Sequence, residues 1–184
     1  MNTKRRILGK MVRFVGITLI LIGTQSCETD IPITDREPPK FSFQVTGDGL
    51  NHTFDQDTNF SSVTLMLRRG VTYNFIFTGS DQGGMDRMAW YTYHSGRVSI
   101  ETTAESPWRF RNDDQWNSSL RWLGNRNNPL TGSAAAGTFT TQGSGNHVNF
   151  RFSLADFGGE TGSPNNTWKD LQVYVGAHNS RVRY

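Results

Sequence analysis

Apolar residues recur at every second position in seven stretches of the chain: Phe41, Phe43, Val45; Val63, Leu65, Leu67; Tyr73, Phe75, Phe77; Met88, Trp90; Val98, Ile100; Val148, Phe150, Phe152; and Leu171, Val173, Val175. A period of two is the signature of a strand with one face turned to a core. Between these stretches stand GDG at 47–49, GSDQGG at 79–84, HSG at 94–96, GSGN at 143–146 and DFGGETGSPNN at 156–166. Such residues make turns, because Gly accepts positive φ and Asn or Asp side chains bond to nearby backbone. Seven strands with no helix of crossover length between them predict an all-β fold, an antiparallel β-sandwich rather than an α/β sheet.

One long interruption breaks the pattern. Residues 103–137 hold three of the five tryptophans, Trp108, Trp116 and Trp122, together with four arginines. Trp116, Leu120 and Leu123 are spaced for one face of a short helix, with Asp113 or Asp114 as an N-cap and Gly124 as a stop. The expectation is a Trp- and Arg-rich insert, with a short helix, on a sandwich scaffold. The passages EPPKFSF and VTYNFIFTGSDQGGMDRMAWYTY resemble the proline-led first strand and the central hairpin of bacterial immunoglobulin-like domains. That resemblance implies an immunoglobulin-like sandwich with Asp81 to Gly84 as a hairpin turn.

The start of the chain follows a different logic. Lys4, Arg5, Arg6, Lys10 and Arg13 precede an apolar run from Phe14 to Ile22 that ends in small and polar residues, the layout of a secretory signal. The run is about half of the roughly 20 residues that cross a bilayer as a helix. Met11 is an alternative start that leaves a compact signal. Cys27 is the one cysteine, and a lone thiol in an exported domain forms no internal disulfide. With Ser26 before it and Thr24 and Gln25 further back, the stretch resembles the looser lipoprotein signals of the Bacteroidetes. In these the cysteine is acylated, and acidic residues such as Glu28 and Asp30 accompany surface export. The resemblance implies a signal peptide over 1–26 and a lipid anchor on Cys27 at the outer membrane or cell surface. ETDIPITDREPPK at 28–40 mixes charge with three prolines and reads as an extended tether. The sandwich is then expected over 41–184.

Removing the leader changes the charge argument. The formal charge is +3, but five of the 19 Lys and Arg precede Cys27 and all 16 Asp and Glu follow it, so the remainder carries −2. With no basic run and no nucleic-acid motif, nucleic acid is not an expected partner.

Candidate chemistry is sparse. Asp55, Asp57 and Asn59 have the D-x-D-x-N spacing that points oxygens at a hard cation such as Ca²⁺. Phe60 and Met66 stand where an EF-hand needs Gly and a bidentate Glu, so a polar turn is the reading preferred over a metal site. Asp81 to Asp86 offers oxygens of the same kind, or a Gly-rich hairpin turn. Asp156, Phe157 and Gly158 spell a kinase DFG without its partners, and no helix follows Ser144 in GSGNH as a nucleophile elbow requires. His52, His94, His147 and His178 are scattered singly, in no zinc pattern.

No cofactor and no catalytic set is therefore expected. The aromatic residues give the one positive signal. Alternation sends Trp90 to one face of its strand and Tyr91 and Tyr93 to the other, while Trp108, Trp116 and Trp122 mark the insert as a ligand-binding candidate. The expected function is a non-catalytic binding or adhesion module for a glycan or an envelope protein. A structural subunit of an envelope complex and a hydrolase of unrecognised type stand as alternatives.

Overall fold

A computed structural model describes residues 30–93, 97–102, 108–112, 117–143 and 146–184. Cys27, His94, Asp113, Asp114, Trp116 and Ser144 lie outside them. The described strands are β1 (Lys40–Gly47), β2 (Leu50–Asp55), β3 (Thr64–Arg68), β4 (Thr72–Ser80), β5 (Met85–Tyr93), β6 (Val98–Thr102), β7 (Arg109–Asn112), β8 (Asn117–Leu123), β9 (Gly132–Thr141), β10 (Asn146–Asp156), β11 (Asn166–Gly176) and β12 (Arg181–Arg183). They form a five-stranded sheet, β2-β1-β4-β9-β6, packed on a seven-stranded one, β12-β3-β11-β10-β5-β8-β7. Every pairing is antiparallel except β3 with β11. The fold is the expected all-β, immunoglobulin-like sandwich, and each of the seven alternating stretches is a strand in it.

Alternation builds the core. Phe41, Phe43, Phe75, Phe77 and Phe139 from the smaller sheet meet Trp90, Leu120, Trp122, Phe150, Phe152, Leu171 and Val173 from the larger, all buried. Trp90 lies at the centre, its ring centroid 4.8 Å from Phe43, 4.9 Å from Phe75 and 5.0 Å from Phe150. Burying one such side chain contributes roughly 1.5–3 kcal/mol, and tilted or edge-on ring pairs add to that.

Two expectations are corrected by the pairing. Asp81 to Gly84 is no hairpin turn: β4 pairs with β1 and β9, whereas β5 pairs with β10 and β8. The turn instead carries the chain from one sheet to the other, which lets Phe75 and Trp90 face each other across the core. The tight hairpin joins β1 to β2, where Gly47 opposes Leu50 and Asp48 and Gly49 both have positive φ (48° and 78°). A two-residue turn of this hand matches the twist of the strands it joins.

The helix expected around Leu120 is likewise a strand. β8 pairs with β5 through Trp90↔Leu120 and Met88↔Trp122. Ser118, Leu120 and Trp122 point inward at a period of two, while Leu123 is 67% exposed. A free strand edge beside β5 outweighed a helical spacing too short to support itself.

The segment expected as a tether is attached to the domain over most of its length. The Pro32 carbonyl accepts from the Glu160 amide, the Ile33 carbonyl from Thr161 Oγ1, the Asp35 carbonyl from Asn165 Nδ2 and the Pro39 carbonyl from buried Thr167 Oγ1. Gly159 (φ 82°) makes room for it: a Cβ there would sit 2.8 Å from Thr34 Cα. Proline-rich composition excluded helix and strand ladder, yet left the carbonyls free to dock.

The strand assignment of residues 117–123 predicts unequal costs. Leu120→Ala should lower the unfolding free energy by about 2–5 kcal/mol, and Leu123→Ala should stay within about 0.5 kcal/mol, as read by chemical denaturation. Comparable losses at both positions would restore the helical face.

Candidate functional site

Two of the three residues expected to bind a ligand, Trp108 and Trp122, are turned into the core by the fold, and Trp116 lies outside the described residues. Trp108 and Trp122 are 7% and 2% exposed, so their faces are closed to a ligand. Trp108 Nε1 donates to Ser133 Oγ at 3.0 Å and its ring meets Phe77 edge-on. Both are core residues, because the described part of the insert adds β7 and β8 to the larger sheet.

Asp55, Asp57 and Asn59 make the turn after β2. Asp55 Oδ1 accepts from the amides of Asp57 and Thr58 and from Thr58 Oγ1. Asp57 accepts from Gln56 Nε2, and Asn59 Oδ1 from Ser61 Oγ. Their oxygens serve bonds local to this turn.

The fold instead brings together three carboxylates from the strap, the sheet-crossing turn and the end of β10. Oxygens of Asp35, Asp81 and Asp156 lie within 4.8 Å of one another. Asp156 is fully buried: Oδ1 accepts from the Gly158 and Asn165 amides, and Oδ2 from Asn165 Nδ2 at 2.7 Å. The DFG spelling thus serves as a loop anchor. Asp81 Oδ1 accepts from the Gly83 amide at 2.8 Å, and Asp35 Oδ1 from the Glu37 amide. Burial raises Asp81 to about 7, aided by the charges of Asp35 and Asp156 and opposed by the Gly83 amide. A proton on Asp81 eases the crowding of charge, and an all-oxygen donor set of this kind also suits a hard cation. A cavity of about 880 Å³ opens beside Asp35 and Asp81, between the strap and the turn.

A second arrangement lies on the outer face of the seven-stranded sheet. Tyr91 and Tyr93 point there, as alternation predicts, with rings stacked 6.2 Å apart at 15°. Register sets Arg151 opposite Tyr91 on one side and Asp170 on the other. Arg151 bonds Asp170 through two nitrogens, at 2.7 and 2.8 Å, and its guanidinium lies 5.3 Å from the ring centres of both Tyr93 and Trp168. The Asp170 carboxylate holds the Arg151 guanidinium even further above its ordinary pKa. Arg121 lies over Tyr91 at 5.1 Å.

Trp168 is 64% exposed, a large ring fixed on one side by a cation. Trp168 and Arg151 were not singled out in the sequence. Carrying the alternation of Leu171, Val173 and Val175 back along β11, and noting that Arg151 separates two buried phenylalanines, places both on this face.

No protein-family model and no curated protein matches the chain. Solved structures with a distant likeness include two cohesins. A cohesin module from a family 33 glycoside hydrolase of Clostridium perfringens aligns with 62% of this chain and 96% of its own, at 10% identity and a TM-score of 0.37. A non-cellulosomal cohesin from Archaeoglobus fulgidus aligns with 62% and 91%, at 8% identity and a TM-score of 0.34. A likeness this weak transfers neither ligand nor partner.

The acidic cluster predicts a pH-dependent stability. An acid whose folded pKa lies above its unfolded value, about 3.9, favours folding most below that value. The contribution is lost as pH rises through about 7. Asp81→Asn keeps an oxygen for the Gly83 amide and removes the charge. In melts with EDTA present, the wild type should lose more Tm than the variant between pH 4 and pH 8, leaving the variant higher at pH 8 by at least about 2–4 °C. Parallel Tm curves would show that Asp81 does not titrate in that interval.

Proposed function

We propose that this chain is an exported, lipid-anchored binding module. Acyl chains on Cys27 hold it at the outer membrane or cell surface, and the outer face of the seven-stranded sheet meets a glycan or protein partner. The observation that carries the binding reading is the exposed Trp168 ring beside the Arg151–Asp170 pair. A water-facing ring that is already oriented loses little freedom on binding and offers both an apolar face and a polar edge. The anchor reading rests on the leader: basic start, short apolar run and lone cysteine at its end. Two acyl chains suffice for stable attachment. Because the strap from Pro32 onward is bonded to the domain, only residues 28–31 separate anchor from domain. The module then rests close to the lipid rather than at a tether's length.

A hydrolase reading draws on Asp81, whose raised pKa beside a cavity is the type of group an acid catalyst needs. Against it, Asp156 is fully buried and both its oxygens are engaged by the loop it anchors. The cluster's visible role is to hold the strap, the turn and the loop together.

The anchor is tested by metabolic labelling with an alkyne fatty acid, which should mark the wild type and spare Cys27→Ala; equal labelling of both would remove the anchor. The binding face is tested with the full chain in detergent on an array carrying glycans and extracellular proteins. Selective retention should be lost in the Arg151→Ala, Trp168→Ala double variant, provided its Tm shows that it folds. Retention that survives the double change would place the partner elsewhere.

A further inference from the structure

Beside Trp168 the outer face is not flat. A depression of about 900 Å³ runs across β10 and β11, with His147, Asn149, Trp168, Lys169, Asp170 and Gln172 among its lining. This is the size of a small-ligand site, roughly 300–1,000 Å³.

The chemistry narrows the class. Among the described residues Trp168 is the exposed ring of the lining and Phe60 a half-buried one, and the polar groups around them include amides, a carboxylate, an ammonium and an imidazole on β10 and β11. Asn149 pairs with Gln172, Arg151 with Asp170 and His147 with Tyr174. Asn149 Nδ2 donates to Asp170 Oδ1 at 3.2 Å, which orients its amide on this face.

Planar side chains that donate and accept side by side suit vicinal hydroxyls, and a ring held open beside them suits the C–H face of a pyranose. An apolar ligand would leave these groups desolvated and unpaired. We infer that the depression between Trp168 and Asn149 is a saccharide subsite, with the sugar stacked on Trp168 and its hydroxyls on Asn149, Asp170 and Gln172. The inference rests on the reading of this sheet face as the binding face and supplies its ligand class.

The test is calorimetric titration of the full chain in detergent with cellohexaose, maltohexaose, mannohexaose and chitohexaose. At least one should bind saturably, and Trp168→Ala and Asn149→Ala should each weaken it by tenfold or more while leaving Tm near that of the wild type. Leu123→Ala, on an exposed residue away from the depression, should bind as the wild type does. Absence of saccharide binding, or binding indifferent to both variants, overturns the subsite. Array retention that depends on Trp168, but is confined to protein features and not competed by these sugars, would keep the binding face and discard the saccharide. Loss of both would discard the two together.

Discussion

Trp90 touches Phe43 and Phe75 of the opposite sheet and Phe150 of its own, and this interlocking of rings helps to hold the two sheets in place. Sheets can slide against each other unless large side chains interlock, and a one-residue slip in β5 would turn Trp90 to solvent and Tyr91 to the core. The same alternation that buries Trp90 therefore fixes Tyr91 and Tyr93 on the outer face. Core packing and surface chemistry are two sides of one strand, and neither can be changed without the other.

Much of the fold was readable because burial on one side of a strand leaves a period of two. The stretches that became β1, β3, β4, β5, β6, β10 and β11 all carry it. Others do not. β9 reads GSAAAGTFTT, and small residues show little alternation even though Ala135 and Phe139 are buried. β2 is mostly polar and β12 has three residues. β8 carried two overlapping patterns, and only its placement beside β5 decided between them. Pairing across a sheet is a long-range fact, which is also why Asp81 to Gly84 read as a hairpin when it is a crossing between sheets.

The binding face was half visible. Tyr91 and Tyr93 were readable from their strand, but the insert drew weight because it concentrated tryptophan. Composition reports that large rings are present and says nothing of which way they face. Trp108 and Trp122 serve the core, and among the described tryptophans the exposed one is the isolated Trp168. The acidic cluster had no local signal at all, since Asp35, Asp81 and Asp156 are separated by many residues and meet only because the strap folds back over the crossing turn and the loop after β10.

The strap also sets how the molecule carries load. Tension applied from the N-terminal side does not enter the domain at β1 alone. Docking of residues 32–39 on the 156–166 segment and on Thr167 passes part of it directly to β10 and β11 in the other sheet. What continues along the chain reaches β1, which is flanked by β2 and β4, so load from that end is spread over both sheets from the outset.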